Sequence, residues 1–193
     1  MERTQPIDIL QARIKEHQTA VGLLAAQAPV IEDIARAFIK ALQGGGKILL
    51  CGNGGSAADA QHVAAELMGR FKLERRAWPA IALTTNSSTV TAIGNDYGYE
   101  YTFSRQVEGL AKKGDVVVGI STSGNSANIL KAMEEGRKRG CITIGVTGEK
   151  GGTLRTLADV CLCAPSDDTA RIQEMHILAW HIICELVESE LSK

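Results

Sequence analysis

Short apolar runs that end in glycine- or serine-rich loops and pass straight into helical patterns recur along this chain, and few architectures accept that order. The sharpest instance is residues 47–71, KILLCGNGGSAADAQHVAAELMGRF. Ile48 to Cys51 form the apolar run, Gly52-Asn53-Gly54-Gly55-Ser56 breaks it, and an alanine-rich helical pattern follows. This reads as buried strand, tight loop and helix. Such a turn aims backbone N–H groups and a helix N-terminus at one point, which suits an anion such as a phosphate. Ser56 is the expected N-cap, its hydroxyl answering a free N–H of the first turn. The glycines do not fall as G-x-G-x-x-G and no Gly-Lys-Ser/Thr follows, so neither a dinucleotide fingerprint nor a P-loop is present. No nucleotide cofactor is expected.

The rest of the chain repeats the theme. Residues 7–27 and 30–43 read as two amphipathic helices, the second stopped by Gly44-Gly45-Gly46. They precede the first strand and are free to cover an edge of the domain or to pair with another subunit. Residues 79–83 read as a second strand, followed by the polar run TTNSSTVTAIGNDYGYE, which holds Asn95 and Asp96. A helix over 100–112 leads to DVVVGI, a continuous apolar strand of the kind buried on both faces. Its end, Ser121-Thr122-Ser123-Gly124-Asn125-Ser126, opens a helix over 127–139. Strands at 142–146 and 160–163 and a long amphipathic helix at 169–190 complete the chain. This alternation implies βαβ units: an α/β fold in three αβα layers, with a five-stranded parallel sheet and extra N-terminal helices. Ligands of such sheets sit at the carboxyl ends of the strands, where NGGS and STSGNS both lie.

Composition sets bounds on function. With 193 residues the chain is read as one domain, 1–193, large enough for a full core. A net charge of −1 gives no basic face, so no nucleic-acid partner is expected. The N-terminus lacks the apolar stretch of a signal peptide, and no run of about 18 apolar residues suits a membrane. The five cysteines show no framework spacing and read as buried free thiols in a reducing compartment. The expected location is the cytoplasm.

Two helical patterns carry polar residues suited to chemistry. His62 and Glu66 are four apart and share one helix face beside the first loop. In the last helix Gln173, Ile177 and His181 recur every four residues, which puts Gln173 and His181 on one stripe. Facing each other, the two stripes would form a pocket of two imidazoles, a carboxylate and an amide. Such a set can bind a divalent metal, zinc in particular, or move protons without one. STSGNS would hold a phosphate with neutral donors and a helix dipole.

CGNGGSAADAQHVAAELMGRF, ALTTNSSTVTAIGND, GDVVVGISTSGNSAN and ARIQEMHILAWH, in this order and spacing, resemble the phosphoheptose isomerases of the sugar-isomerase (SIS) domain family. The resemblance spans nearly the whole chain and is weakest over the first 30 residues. It implies a flavodoxin-like or Rossmann-like SIS domain that isomerises sedoheptulose 7-phosphate to D-glycero-D-manno-heptose 7-phosphate, toward activated heptose for lipopolysaccharide or other surface glycans. It also implies a homotetramer with active sites at subunit interfaces. Carried over by position, Asn53, Gly54, Gly55, Asn95 and Asp96 match sugar-binding residues, and Ser121, Thr122, Ser123 and Ser126 match the phosphate loop. Glu66 and His181 match the proton-transfer pair, and His62, Glu66, Gln173 and His181 match the ligands of one zinc per subunit, with Glu66 and Gln173 also at the substrate. Two rivals share much of this pattern: a non-enzymatic SIS adaptor that binds the replication initiator protein, and an isomerase of another sugar phosphate. Glu66 and His181 discriminate against the adaptor, which has no use for a base and an acid in one pocket.

Overall fold

A computed structural model describes residues 5–193. Two helices open it, α1 (Pro6–Leu24) and α2 (Ala28–Gln43), joined by the 3-10 turn Ala25–Gln27. Then follow β1 (Ile48–Gly52), α3 (Gly55–Met68), β2 (Ala80–Ala82), α4 (Ser87–Tyr97), α5 (Ser104–Leu110) and β3 (Val116–Ile120). The chain ends through α6 (Ala127–Lys138), β4 (Ile142–Gly148), α7 (Gly152–Leu157), β5 (Val160–Ala164) and α8 (Thr169–Leu191). The five strands pair in parallel in the order β2-β1-β3-β4-β5.

The strand residues explain the layering. Side chains alternate between sheet faces with a period of two, so Ile48 and Leu50 point one way while Leu49 and Cys51 point the other. The first set joins Val116, Val118, Ile144 and Leu162 in a core with α2, α3 and α8. The second joins Val117, Val107, Ile129, Met133 and Leu154 under α5, α6 and α7. All five residues of β1 and of β3 are buried, as a doubly covered strand requires. Helix α3 leaves β1 toward one face, whereas α6 leaves β3 toward the other. The order therefore reverses between β1 and β3, and that opens the crevice where ligands of such sheets bind.

One local expectation is corrected, and two helices appear where the sequence assigned no element. Ser56 is not an N-cap: α3 begins at Gly55 after Gly54, whose φ is +56°, and the Ser56 side chain is buried. A positive φ lets the chain turn so sharply that the helix starts before the serine is reached. The polar run after β2, given no element by the sequence, holds a helix, Ser87–Tyr97, started by Asn86, whose Oδ1 accepts from Thr89 N–H at 3.0 Å. A further short helix, α7, occupies Gly152–Leu157 between β4 and β5. Cys161 and Cys163 on the edge strand β5 are half-buried, whereas Cys51, Cys141 and Cys184 are buried; all five are free thiols.

Helix α1 packs against α8 but buries only Ala20 and Leu24. Ile7, Ile9, Leu10, Ile14 and Leu23 each keep more than half of their surface exposed.

Candidate functional site

The loops after β1 and β3 meet at the crevice, and two asparagines join them. Asn53 Nδ2 donates to Asn128 Oδ1 at 3.0 Å, and Asn128 Nδ2 donates back to Asn53 Oδ1 at 2.9 Å. Tyr99 Oη also donates to Asn53 Oδ1 at 3.0 Å, bringing in the turn after α4. Asn128 lies in the first turn of α6, buried among apolar neighbours. A buried amide is tolerated because its hydrogen bonds are met.

The serines of the second loop converge. Ser121 Oγ lies 2.9 Å from Ser126 Oγ and 3.4 Å from Ser123 Oγ, at the N-terminus of α6. Gly124, with φ +68°, lies so close to the Gly151 carbonyl that a Cβ would collide with it. Asn125 Oδ1 accepts from the Thr153 N–H and hydroxyl, both at 2.9 Å, tying this loop to the start of α7. Thr122 and Ser123 open onto a cleft of about 330 Å³ shared with Gly148, Lys150, Ser166 and Thr169. Hydroxyls and a helix N-terminus at one point have the chemistry to hold an anion.

A second cluster lies along α3 and α8, which pack side by side. Gln173 places its amide against Gly55 so closely that a Cβ on the glycine would overlap it. About two turns further along both helices, His62 meets His181. Their Nε2 atoms are 3.2 Å apart, and His62 Nε2 lies 3.0 Å from Glu66 Oε1. Phe71, just beyond α3, stacks on the His181 ring at 5.7 Å between centroids and 21° between planes. His62, Glu66 and His181 offer ligand atoms that all lie within 4.8 Å of one another. Two ligands of a tetrahedral zinc stand about 3.3 Å apart, given Zn–N bonds near 2.05 Å. The 3.0 and 3.2 Å separations from His62 Nε2 match that spacing, and the Glu66 and His181 donors lie within 4.8 Å of each other.

The structure thus gathers the residues singled out by sequence into two places. Asn53, Gly54, Gly55, Ser121, Thr122, Ser123, Ser126 and Gln173 lie around the strand ends. His62, Glu66 and His181 lie down the helices: Glu66 is eleven residues past Gly55, about 16 Å of rise. The Asn95 and Asp96 side chains hydrogen-bond to neither group among the described residues. They are exposed on α4, where Asn95 Nδ2 donates to Asp96 Oδ1 at 2.8 Å, and Asp96 borders a separate cleft with Tyr101, Arg105 and Lys131. Sequence reasoning missed Asn128, Tyr99 and Phe71. Asn128 had a signal, since an asparagine at a core-facing position of a helix needs a buried partner. Phe71 had none, because its partner is 110 residues away.

Residues 14–148 match the family model described as SIS domain. A phosphoheptose isomerase of Nitratiruptor sp. is 63% identical over 150 residues, which cover 78% of this chain and 80% of the relative. The phosphoheptose isomerase of Aliarcobacter butzleri is 53% identical over 95% of this chain and 97% of its own length. The structure of the phosphoheptose isomerase from Neisseria gonorrhoeae superposes with a TM-score of 0.92 at 43% identity, covering 96% of this chain and all of the other. One from Francisella tularensis gives 0.93 at 38% identity with the same coverage. On fold, motif order and identity together, this chain belongs to the phosphoheptose isomerase family of SIS-domain proteins.

Proposed function

We propose that this enzyme interconverts sedoheptulose 7-phosphate and D-glycero-D-manno-heptose 7-phosphate through an enediol, supplying heptose for nucleotide-activated precursors of lipopolysaccharide or other surface glycans. The observation that carries the reading is the meeting of His62, Glu66 and His181, in a chain more than half identical to relatives named phosphoheptose isomerase. Ser121, Thr122, Ser123 and Ser126 take the phosphate on neutral donors and the α6 N-terminus. Asn53, Gly54, Gly55, Asn95, Asp96 and Gln173 orient the sugar hydroxyls.

The carboxylate of Glu66 removes a proton from C1 of the ketose while His181 protonates the oxygen on C2, giving the enediol. His181 then takes the proton from the oxygen on C1, and Glu66 returns its proton to C2, which leaves the aldose. His62, Glu66 and His181 are the residues that would hold one zinc per subunit, whose chemistry would be Lewis-acid polarisation of the carbonyl; Gln173, two turns earlier on α8, would have to swing its amide off Gly55 to be the fourth ligand. Residues 1–193 act as one SIS domain, placed in the cytoplasm; no described helix is long and apolar enough to cross a membrane.

The active unit is a homotetramer with sites between subunits. Two features support this: the turns of helix that separate the phosphate loop from Glu66, and the exposed apolar row on α1 beside a groove lined by Val21, Leu24, Ile31, Leu178, Ile182 and Leu186.

The test is to add sedoheptulose 7-phosphate and follow the aldose by NMR. Product from the native chain and none from Glu66→Gln is the expected result. No product with zinc supplied would favour the adaptor or another sugar phosphate.

A further inference from the structure

Next to the proton-transfer pair lies a buried ion pair to which the proposed reaction gives no part. Glu188 and Arg75 have side chains only 2% and 5% exposed, with Arg75 Nε 3.0 Å from Glu188 Oε1. The carboxylate also accepts three successive backbone N–H groups: Phe71 at 3.0 Å, Lys72 at 2.6 Å and Leu73 at 2.8 Å. The guanidinium lies over the Trp78 ring at 3.6 Å. Its Nη2 donates to the Glu66 carbonyl at 2.7 Å, and its Nη1 donates to the carbonyls of Leu67, Gly69 and Arg76.

A buried ion pair is a poor way to gain stability, because desolvation of both ions offsets most of their attraction. What this one does is fix geometry. Glu188 stands seven residues after His181, so both project from the same side of α8. By gripping the Phe71 N–H, Glu188 sets where the Phe71 ring lies, and that ring is the one stacked on His181. Arg75 holds the last carbonyls of α3, including that of Glu66 itself. One pair thus touches the backbone beneath the base and the aromatic wall behind the acid.

We propose that Arg75 and Glu188 are positioning residues that act through Phe71, holding the His181 imidazole at the angle that proton transfer to the sugar oxygen requires. The inference rests on the roles assigned above to Glu66 and His181. A stacked ring limits rotation of an imidazole about its side-chain bonds, and small losses of alignment between reacting groups cost rate more than affinity. The phosphate loop lies elsewhere, so substrate affinity is a built-in control.

The experiment compares Phe71→Leu, Phe71→Tyr and Glu188→Gln with the native chain. It reads kcat, substrate dissociation constant, thermal midpoint and the His181 ring proton shifts by NMR. Phe71→Leu should lower kcat by about tenfold or more with affinity changed less than about twofold. Phe71→Tyr should restore most of the rate. In folded Glu188→Gln, where Phe71 is still present, the ring-current shift at His181 should move while those of His17 and His176 stay. Phe71→Leu with native kcat, or a Glu188→Gln spectrum with His181 unmoved, would overturn the proposal. Should Glu188→Gln fail to fold, the Phe71 pair decides alone. Absence of turnover in the native chain would instead count against the isomerase reading, and the His181 shifts would still judge the positioning.

Discussion

Asn53 and Asn128 exchange both of their amide hydrogen bonds across the crevice between β1 and β3, at 3.0 and 2.9 Å. Each loop therefore holds the other in place, and the sugar binding proposed at the first would be coupled to the phosphate binding proposed at the second. Asn128→Leu removes the partner and leaves the Asn53 amide to solvent or to Tyr99 alone. The expected cost is about 1–2 kcal/mol of stability, together with a several-fold weaker substrate affinity. Denaturant titration and calorimetric binding check both; native affinity in a folded Asn128→Leu would separate the loops.

Gly54 and Gly124 both have positive φ, +56° and +68°, yet they should differ on substitution. A Cβ at Gly54 meets nothing within 4 Å, whereas one at Gly124 runs into the Gly151 carbonyl and Thr147 Oγ1. Gly54→Ala meets no clash, but φ +56° with ψ −122° lies outside the left-handed well open to alanine, at a cost on the order of 2 kcal/mol. Gly124→Ala adds a steric clash with fixed backbone and should lose at least about twice that. Denaturant midpoints of the two variants measure the difference directly.

Much of this was legible in the sequence because it is local. Strand β3 announces itself through consecutive valines buried on both faces, and the loops after β1 and β3 through glycine and serine at helix starts. The pairing of His62 with Glu66 follows from helix geometry alone. Helix α4 was hidden because Ser87, Ser88, Thr89 and Thr91 have low helix propensity and its burial is slight, so only the Asn86 cap marks its start. The contacts that join distant segments were hidden for a different reason. Phe71 on His181 and Glu188 on the loop after α3 depend on how α3 and α8 lie together, and no periodicity within either segment encodes that. Asn95 and Asp96, prominent in the sequence, make no hydrogen bond to the serine loop among the described residues, which agrees with the proposed completion of the site between subunits.

His176 should make the fold sensitive to mild acid. Its ring is fully buried, with Nε2 3.0 Å from the Thr147 carbonyl and Nδ1 without a partner among the described residues. Burial pushes its pKa down from 6.5 to about 4, against a smaller upward pull from the Thr147 carbonyl. Between those values the unfolded chain binds a proton that the folded chain refuses. Stability therefore rises with pH across this window and is lost as pH falls from 6.5 toward 4, by as much as about 3 kcal/mol. Denaturant unfolding at pH 7.5 and pH 5 should show a loss that shrinks in His176→Gln. An equal loss in both would assign the acid sensitivity to other groups, though not to Glu188: burial raises its pKa, but the N–H groups of Lys72, Leu73 and Phe71 and the Arg75 charge outweigh that and hold it below the ordinary value. Its contribution is present above the usual glutamate range and disappears only as pH falls below it.

Zinc should stabilise this protein through the cluster that joins α3 to α8. The three donor atoms of His62, Glu66 and His181 come from two helices, so an ion held by them ties the helices together as well as serving the sugar. A ligand that binds only the folded state raises stability by about 2.7 kcal/mol at a hundred times its dissociation constant. Purified protein stripped by a chelator should therefore melt several degrees lower, and added zinc should restore the midpoint. His62→Gln should lose this response while keeping the metal-free midpoint, because His62 is exposed and leaves no cavity. Magnesium, a harder ion that prefers oxygen ligands, should not substitute. A chelator-treated protein with an unchanged midpoint and full turnover would mean that His62, Glu66 and His181 work as a proton-transfer group without metal.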